Sequence, residues 1–86
     1  MDGSAFEFDV VMPREARFAE AVRRLALQSA SYAGGAPGDA EAFAAAVEQA
    51  FHACLSGSAG DVPLTFRRAA GPVEVVVDGR VLSLAV

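Results

Sequence analysis

The chain has 86 residues, enough for one domain and too few for two. Apolar residues make up 53% of it, which excludes a disordered chain, and a net charge of −4 argues against gripping nucleic acid through phosphates. A domain this small hides only about 60–65% of the surface its unfolded chain exposes, so a binding partner can matter to its stability.

The acidic start, Asp2 to Glu7, contains no apolar run of signal-peptide length. Phe6-Glu7-Phe8-Asp9-Val10 then alternates apolar and acidic residues, the period of a strand with one buried face and one wet face. Pro13 suits the first turn of a helix. From there Phe18, Val22, Leu25, Ser29 and Tyr32 recur at steps of three and four, with Ala19, Ala26 and Ala30 filling the same stripe. Arg17, Glu20, Arg24 and Gln28 take the other side, and Glu20 precedes Arg24 by four, the better orientation for a helical ion pair. Leu27 falls off the stripe and is expected to be an exposed contact.

Gly34-Gly35-Ala36-Pro37-Gly38 breaks that helix. It lacks the spacing and the lysine of a phosphate loop and follows a helix, so it reads as a turn. Asp39 is the expected N-cap of a second helix, with Glu41 in its first turn. Phe43, Val47, Ala50, Phe51, Cys54 and Leu55 form the second apolar stripe, and Ser56 to Gly60 is a loop. Val62, Leu64 and Phe66 alternate with Thr65 and Arg67, and Val73, Val75 and Val77 with Glu74 and Asp78. Asp78-Gly79 is a two-residue hairpin signal, and Leu82, Leu84 and Val86 complete a last strand. The expected order is β-α-α-β-β-β, an α+β two-layer sandwich with a mostly antiparallel sheet and both helices on one face. Residues 1–86 form a single domain.

The cations are all arginine, so no lysine is present to hold a phosphate or form a Schiff base. With Cys54 as its one cysteine the chain can form no internal disulfide, which fits a reducing compartment. No stretch approaches the ~20 apolar residues of a membrane span. The expected location is the cytoplasm, away from membranes.

The run from Phe6 to Leu55 resembles the N-terminal half of the anti-sigma-factor serine kinases, in the histidine-kinase-like (GHKL) ATPase superfamily. The likeness lies in the first strand, in Met12-Pro13-Arg14-Glu15-Ala16, in Val22-Arg23-Arg24-Leu25, and in a glycine-rich break before an Asp-led helix. Ala46-Val47-Glu48-Gln49-Ala50-Phe51-His52-Ala53 looks like the family's N-box. The resemblance implies that Glu48 stands where such kinases keep a general base. His52 stands where the magnesium-binding asparagine belongs, and an imidazole replaces an amide oxygen poorly around Mg²⁺. Val75-Val76-Val77-Asp78-Gly79 looks like a remnant of the strand entering the D-x-G-x-G adenine box, but Arg80 and Leu82 occupy the places of its two glycines. The ATP lid, the second glycine-rich box and the third helix are not encoded in these residues. Against the family's pattern, Glu48 with His52 is a vestigial N-box, and Asp78 with Gly79 a vestigial nucleotide box.

Read without the family, Glu48 and His52 are a solvated pair four apart on one helix, with no nucleophile or phosphate cradle beside them. Cys54 reads as a small core residue, and one His with one Cys cannot fill a tetrahedral metal site. Arg67-Arg68 reads as a solvated strand end. The last strand is uncharged from Val81 to Val86 apart from its terminal carboxylate, and an exposed edge of that kind invites pairing with another chain. The expectation is a non-catalytic regulatory module, without cofactor or metal. It is expected to bind a protein, with the sigma-factor regulators of partner-switching networks as the setting the resemblance implies. A homodimer is expected, with Leu27, Leu82, Leu84 and Val86 in contacts. The alternatives are residual ATP or ADP binding without hydrolysis, or a fragment that another chain completes into a serine kinase.

Overall fold

The computed structural model describes residues 5–57 and 60–85. Strand β1 (Phe6–Met12) leads through a 3₁₀ turn (Ala16–Phe18) into helices α1 (Ala19–Tyr32) and α2 (Pro37–Cys54). Strands β2 (Val62–Arg68), β3 (Val73–Val77) and β4 (Arg80–Leu84) follow. The sheet is a fully antiparallel meander in the order β1-β2-β3-β4, with both helices on one face, as the alternation and the two amphipathic stripes require.

The period-2 pattern sorts β2 and β3 cleanly. Val62, Leu64, Phe66, Val73, Val75 and Val77 are buried under the helices, while Thr65, Arg67 and Glu74 lie on the open face. Alanines at the helix contact (Ala26, Ala30, Ala40, Ala44) let α1 and α2 approach closely, and Phe51 and Phe66 are the largest fully buried side chains. Strand β1 is less covered. Phe8 keeps 39% of its surface exposed although its ring stacks on Phe66 with centroids 5.0 Å apart.

Element ends depart from expectation in instructive places. The α-helix begins at Ala19 rather than near Pro13, because Glu15 is extended (φ −139°, ψ 139°) and its N–H donates back to the Pro13 carbonyl at 2.8 Å. The first helix ends in a Schellman closure. Gly34 at φ +95° sends its N–H to Ser31, and Gly35 sends its own to Ala30. Asp39 is not the N-cap of α2: Ala36 holds that position, Pro37 is the first helical residue, and Asp39 lies in the first turn. Leu27 is also corrected, since it is half-buried against the core and not an exposed contact. At the β3–β4 turn Asp78 (φ 50°) and Gly79 (φ 90°) are both left-handed, the signature of a type I′ hairpin.

Candidate functional site

Glu48 and His52 stand one turn apart on α2, but they do not line a common cavity. The Glu48 carboxylate is half-buried and faces across the helix pair, 3.8 Å from Nε of Arg23. That guanidinium is held more tightly by Glu41, at 2.8 Å. Arg23 therefore straps α1 to α2 through two carboxylates. His52 is exposed in the last turn of α2, where a cation complements the helix dipole. Cys54 is half-buried and its Sγ lies 3.0 Å from the Phe51 carbonyl of the same helix. Among the described residues no group of three or more His, Cys, Asp or Glu side chains could hold a metal.

Asp78 and Gly79 form the hairpin turn itself. The Asp78 N–H donates to the Pro63 carbonyl at 3.0 Å, and its Oδ2 lies 3.5 Å from Arg14. That arginine is the residue a reading of the sequence overlooks. Its side chain is only 9% exposed. Nη1 donates to the Cys54 carbonyl at the end of α2, Nε to Gly60 at 2.8 Å, and Nη2 to Asp61 at 3.3 Å. One guanidinium thus ties the β1–α1 connector to the C-terminus of α2, to the following loop and to the β3–β4 turn. The orphan carbonyls of a helix end attract a cation there. No local pattern announces this role, because Arg14 is separated by 40 or more residues from every one of these partners.

Open features among the described residues include both edges of the sheet and an apolar groove. Among the described residues strand β4 is bordered by β3 alone. Leu82 and Leu84 turn inward and pack on the core, so the outward residues are Val81, 54% exposed, and Ser83. Val86 lies outside the described residues. The parity of the ladder follows from the Asp78–Pro63 bond. It makes residues 63, 65 and 67 the ones that bond toward β3, and residues 62, 64, 66 and 68 the ones that bond toward β1. The same alternation turns the backbone amides and carbonyls of Val81 and Ser83 outward at one edge of the sheet. At the other edge it turns those of Glu7, Asp9 and Val11 outward.

Beside the β1 edge, between sheet and helix, runs an apolar groove of about 290 Å³ lined by Phe6, Phe8, Leu25, Gln28, Ser29 and Tyr32. Tyr32 is 62% exposed and meets Phe6 edge-on, with ring centroids 5.8 Å apart. This aromatic wall also went unread, since Tyr32 belongs to a stripe that predicts burial. On the open sheet face Thr65 donates to Asp9 at 2.7 Å, and Arg67 pairs with Glu74 at 2.7 Å. No family model matches this chain, and no curated protein or solved structure matches it either.

Proposed function

We propose that the chain is a non-catalytic regulatory module that works by protein–protein contact and pairs with a second copy of itself along β4. The observation that carries this reading is the β4 edge: open, and without a charge among its outward residues Val81 and Ser83. An antiparallel pairing of two such edges about Leu82 sets Val81 beside Ser83 and Arg80 beside Leu84, so no like charges meet. The exposed Val81 and the half-buried Val76 next to it on the sheet face extend the apolar contact. The engagement of Glu48 by Arg23, instead of a cavity, supports the non-catalytic part. The resemblance over Phe6 to Leu55 supports a bacterial partner-switching network around sigma factors as the setting. The single cysteine supports a cytoplasmic one.

Sedimentation equilibrium tests the pairing. The native chain is expected to be a dimer at micromolar concentration. Ser83→Pro removes an outward N–H without breaking the β3–β4 ladder, and it is expected to yield a monomer with an unchanged circular dichroism spectrum. A native chain that stays monomeric at hundreds of micromolar overturns the reading. Millimolar ATP or ADP with magnesium is expected to leave the melting temperature unmoved. A nucleotide-induced rise that Glu48→Ala abolishes would favour the alternative of residual nucleotide binding.

A further inference from the structure

The two free edges of the sheet differ in charge, and the difference selects their partners. On β1 the residues with outward backbone groups are Glu7, Asp9 and Val11, whose side chains lie on the open sheet face. Arg67 sits across from Glu7, but its guanidinium is turned to Glu74, and Glu7 has no ion pair among the described residues. Asp9 accepts the Thr65 hydroxyl and keeps its charge toward solvent. The intervening residues Phe6 and Phe8 point to the other face, into the groove walled by Leu25 and Tyr32. An approaching strand therefore meets carboxylates at Glu7 and Asp9, with Val11 at the next outward position, and an apolar trough beside Phe6 and Phe8.

We infer that the β1 edge is a docking site for an extended segment of a protein partner that alternates apolar with basic residues and joins the sheet as a fifth strand. Residues opposite Glu7 and Asp9 share their face, because antiparallel or parallel partners in register project the same way. Arginine or lysine there finds a carboxylate. Residues opposite Phe6 and Phe8 drop their side chains into the trough, and main-chain bonds to Glu7, Asp9 and Val11 supply the rest of the affinity. A second copy of β1 is the wrong occupant. Antiparallel self-pairing centred on Phe8 sets Glu7 of each copy opposite Asp9 of the other, pairing centred on Asp9 sets the two Asp9 side chains opposite each other, and like charges directly opposite are destabilising. Strand β4 of another copy is also a poor match, since its outward residues Val81 and Ser83 carry no positive charge.

This inference rests on the reading of the chain as an interaction module, but it uses the edge opposite to the one proposed for self-pairing. The two are tested separately. The probe is a blocked seven-residue peptide alternating valine and arginine, the length of β1. Tyr32 is the reporter, because the chain has one tyrosine and no tryptophan and the peptide has neither. A saturable change in Tyr32 emission is expected on titration, equal in the native chain and in Ser83→Pro, and weakened several-fold by 0.5 M salt. A peptide with glutamate for arginine, and one with the same residues in two blocks, are expected to give no saturable change. The double variant Glu7→Gln/Asp9→Asn is expected to bind the alternating peptide about five- to tenfold more weakly, the size of two exposed charge pairs. The asparagine still accepts the Thr65 hydroxyl, so the fold is preserved. Equal binding of the block peptide, or of the glutamate peptide, overturns the inference, as does a double variant that binds as tightly as the native chain. Loss of peptide binding with an intact β4 dimer removes this site alone. A monomeric native chain that binds the peptide removes the β4 pairing alone.

Discussion

Arg14 reaches the end of α2 from the β1–α1 connector and Glu48 stands on α2 itself, and the fold treats these two charged side chains in opposite ways. Arg14 is drawn inside, and its guanidinium meets three backbone carbonyls and the Asp78 carboxylate at the corner where α2, its following loop and the last hairpin converge. Glu48 stays at the edge of the helix pair with a 3.8 Å contact to an arginine already better paired to Glu41. The residue that stands out in the sequence, through its place in an N-box-like run, carries little of the structure. The residue that holds distant segments together stands in a connector whose local sequence does not announce that role. Charge contributes to stability where it is removed from water and its partners are in place, and contributes little where solvent can replace the partner.

Stability measurements on point variants can break this contrast. Arg14→Ala is expected to cost about 2–3 kcal/mol, because it leaves the partly buried Cys54 carbonyl at the end of α2 without a charged donor and unties the following loop and the last hairpin from the β1–α1 connector. In a domain of this size that lowers the melting temperature by roughly 10 °C or more. Arg14→Lys is expected to recover less than half, since one ammonium cannot reproduce a fork that spreads over Cys54, Gly60 and Asp61. Next in size is Gly79→Ala. A Cβ there meets nothing within 4 Å, so the cost comes from the φ of +90° alone, about 1 kcal/mol by chemical denaturation. Glu48→Ala is expected to cost well under 1 kcal/mol, and a double-mutant cycle with Arg23→Ala to show a coupling no larger than that. His52→Ala is expected to fall within about 0.5 kcal/mol of the native chain. An Arg14→Ala variant that unfolds at the native denaturant midpoint, or a Glu48→Ala variant that loses as much as Arg14→Ala should, reverses the comparison.

The alternation of Val62-Leu64-Phe66 and Val73-Val75-Val77, the two stripes of apolar residues, and Asp78-Gly79 were enough to derive the two layers, the element order and the last hairpin. Each rests on a period or a turn preference that a few neighbouring residues determine by themselves. Element ends were less legible. Pro13 and Asp39 both carry helix-start signals, yet α1 begins at Ala19 and α2 at Pro37. In the first case the backbone turn at Pro13 to Glu15 sends the Arg14 side chain to carbonyls 40 and more residues away. In the second, proline at the first helical position outweighs a side-chain cap. Leu27 and Leu82 show the same limit at the level of faces, since half-burial depends on which neighbour closes over a side chain.

What the sequence determined by itself is the set of local periods, and with them the fold class. Tertiary structure alone decided the order of strands, the parity that turns the Glu7 and Asp9 backbone outward at one edge and that of Val81 and Ser83 at the other, and the corner occupied by Arg14. The physical reason is range. A strand or helix period is imposed by residues two to four positions apart, whereas a free edge or a buried cation depends on segments brought together from opposite ends of the chain.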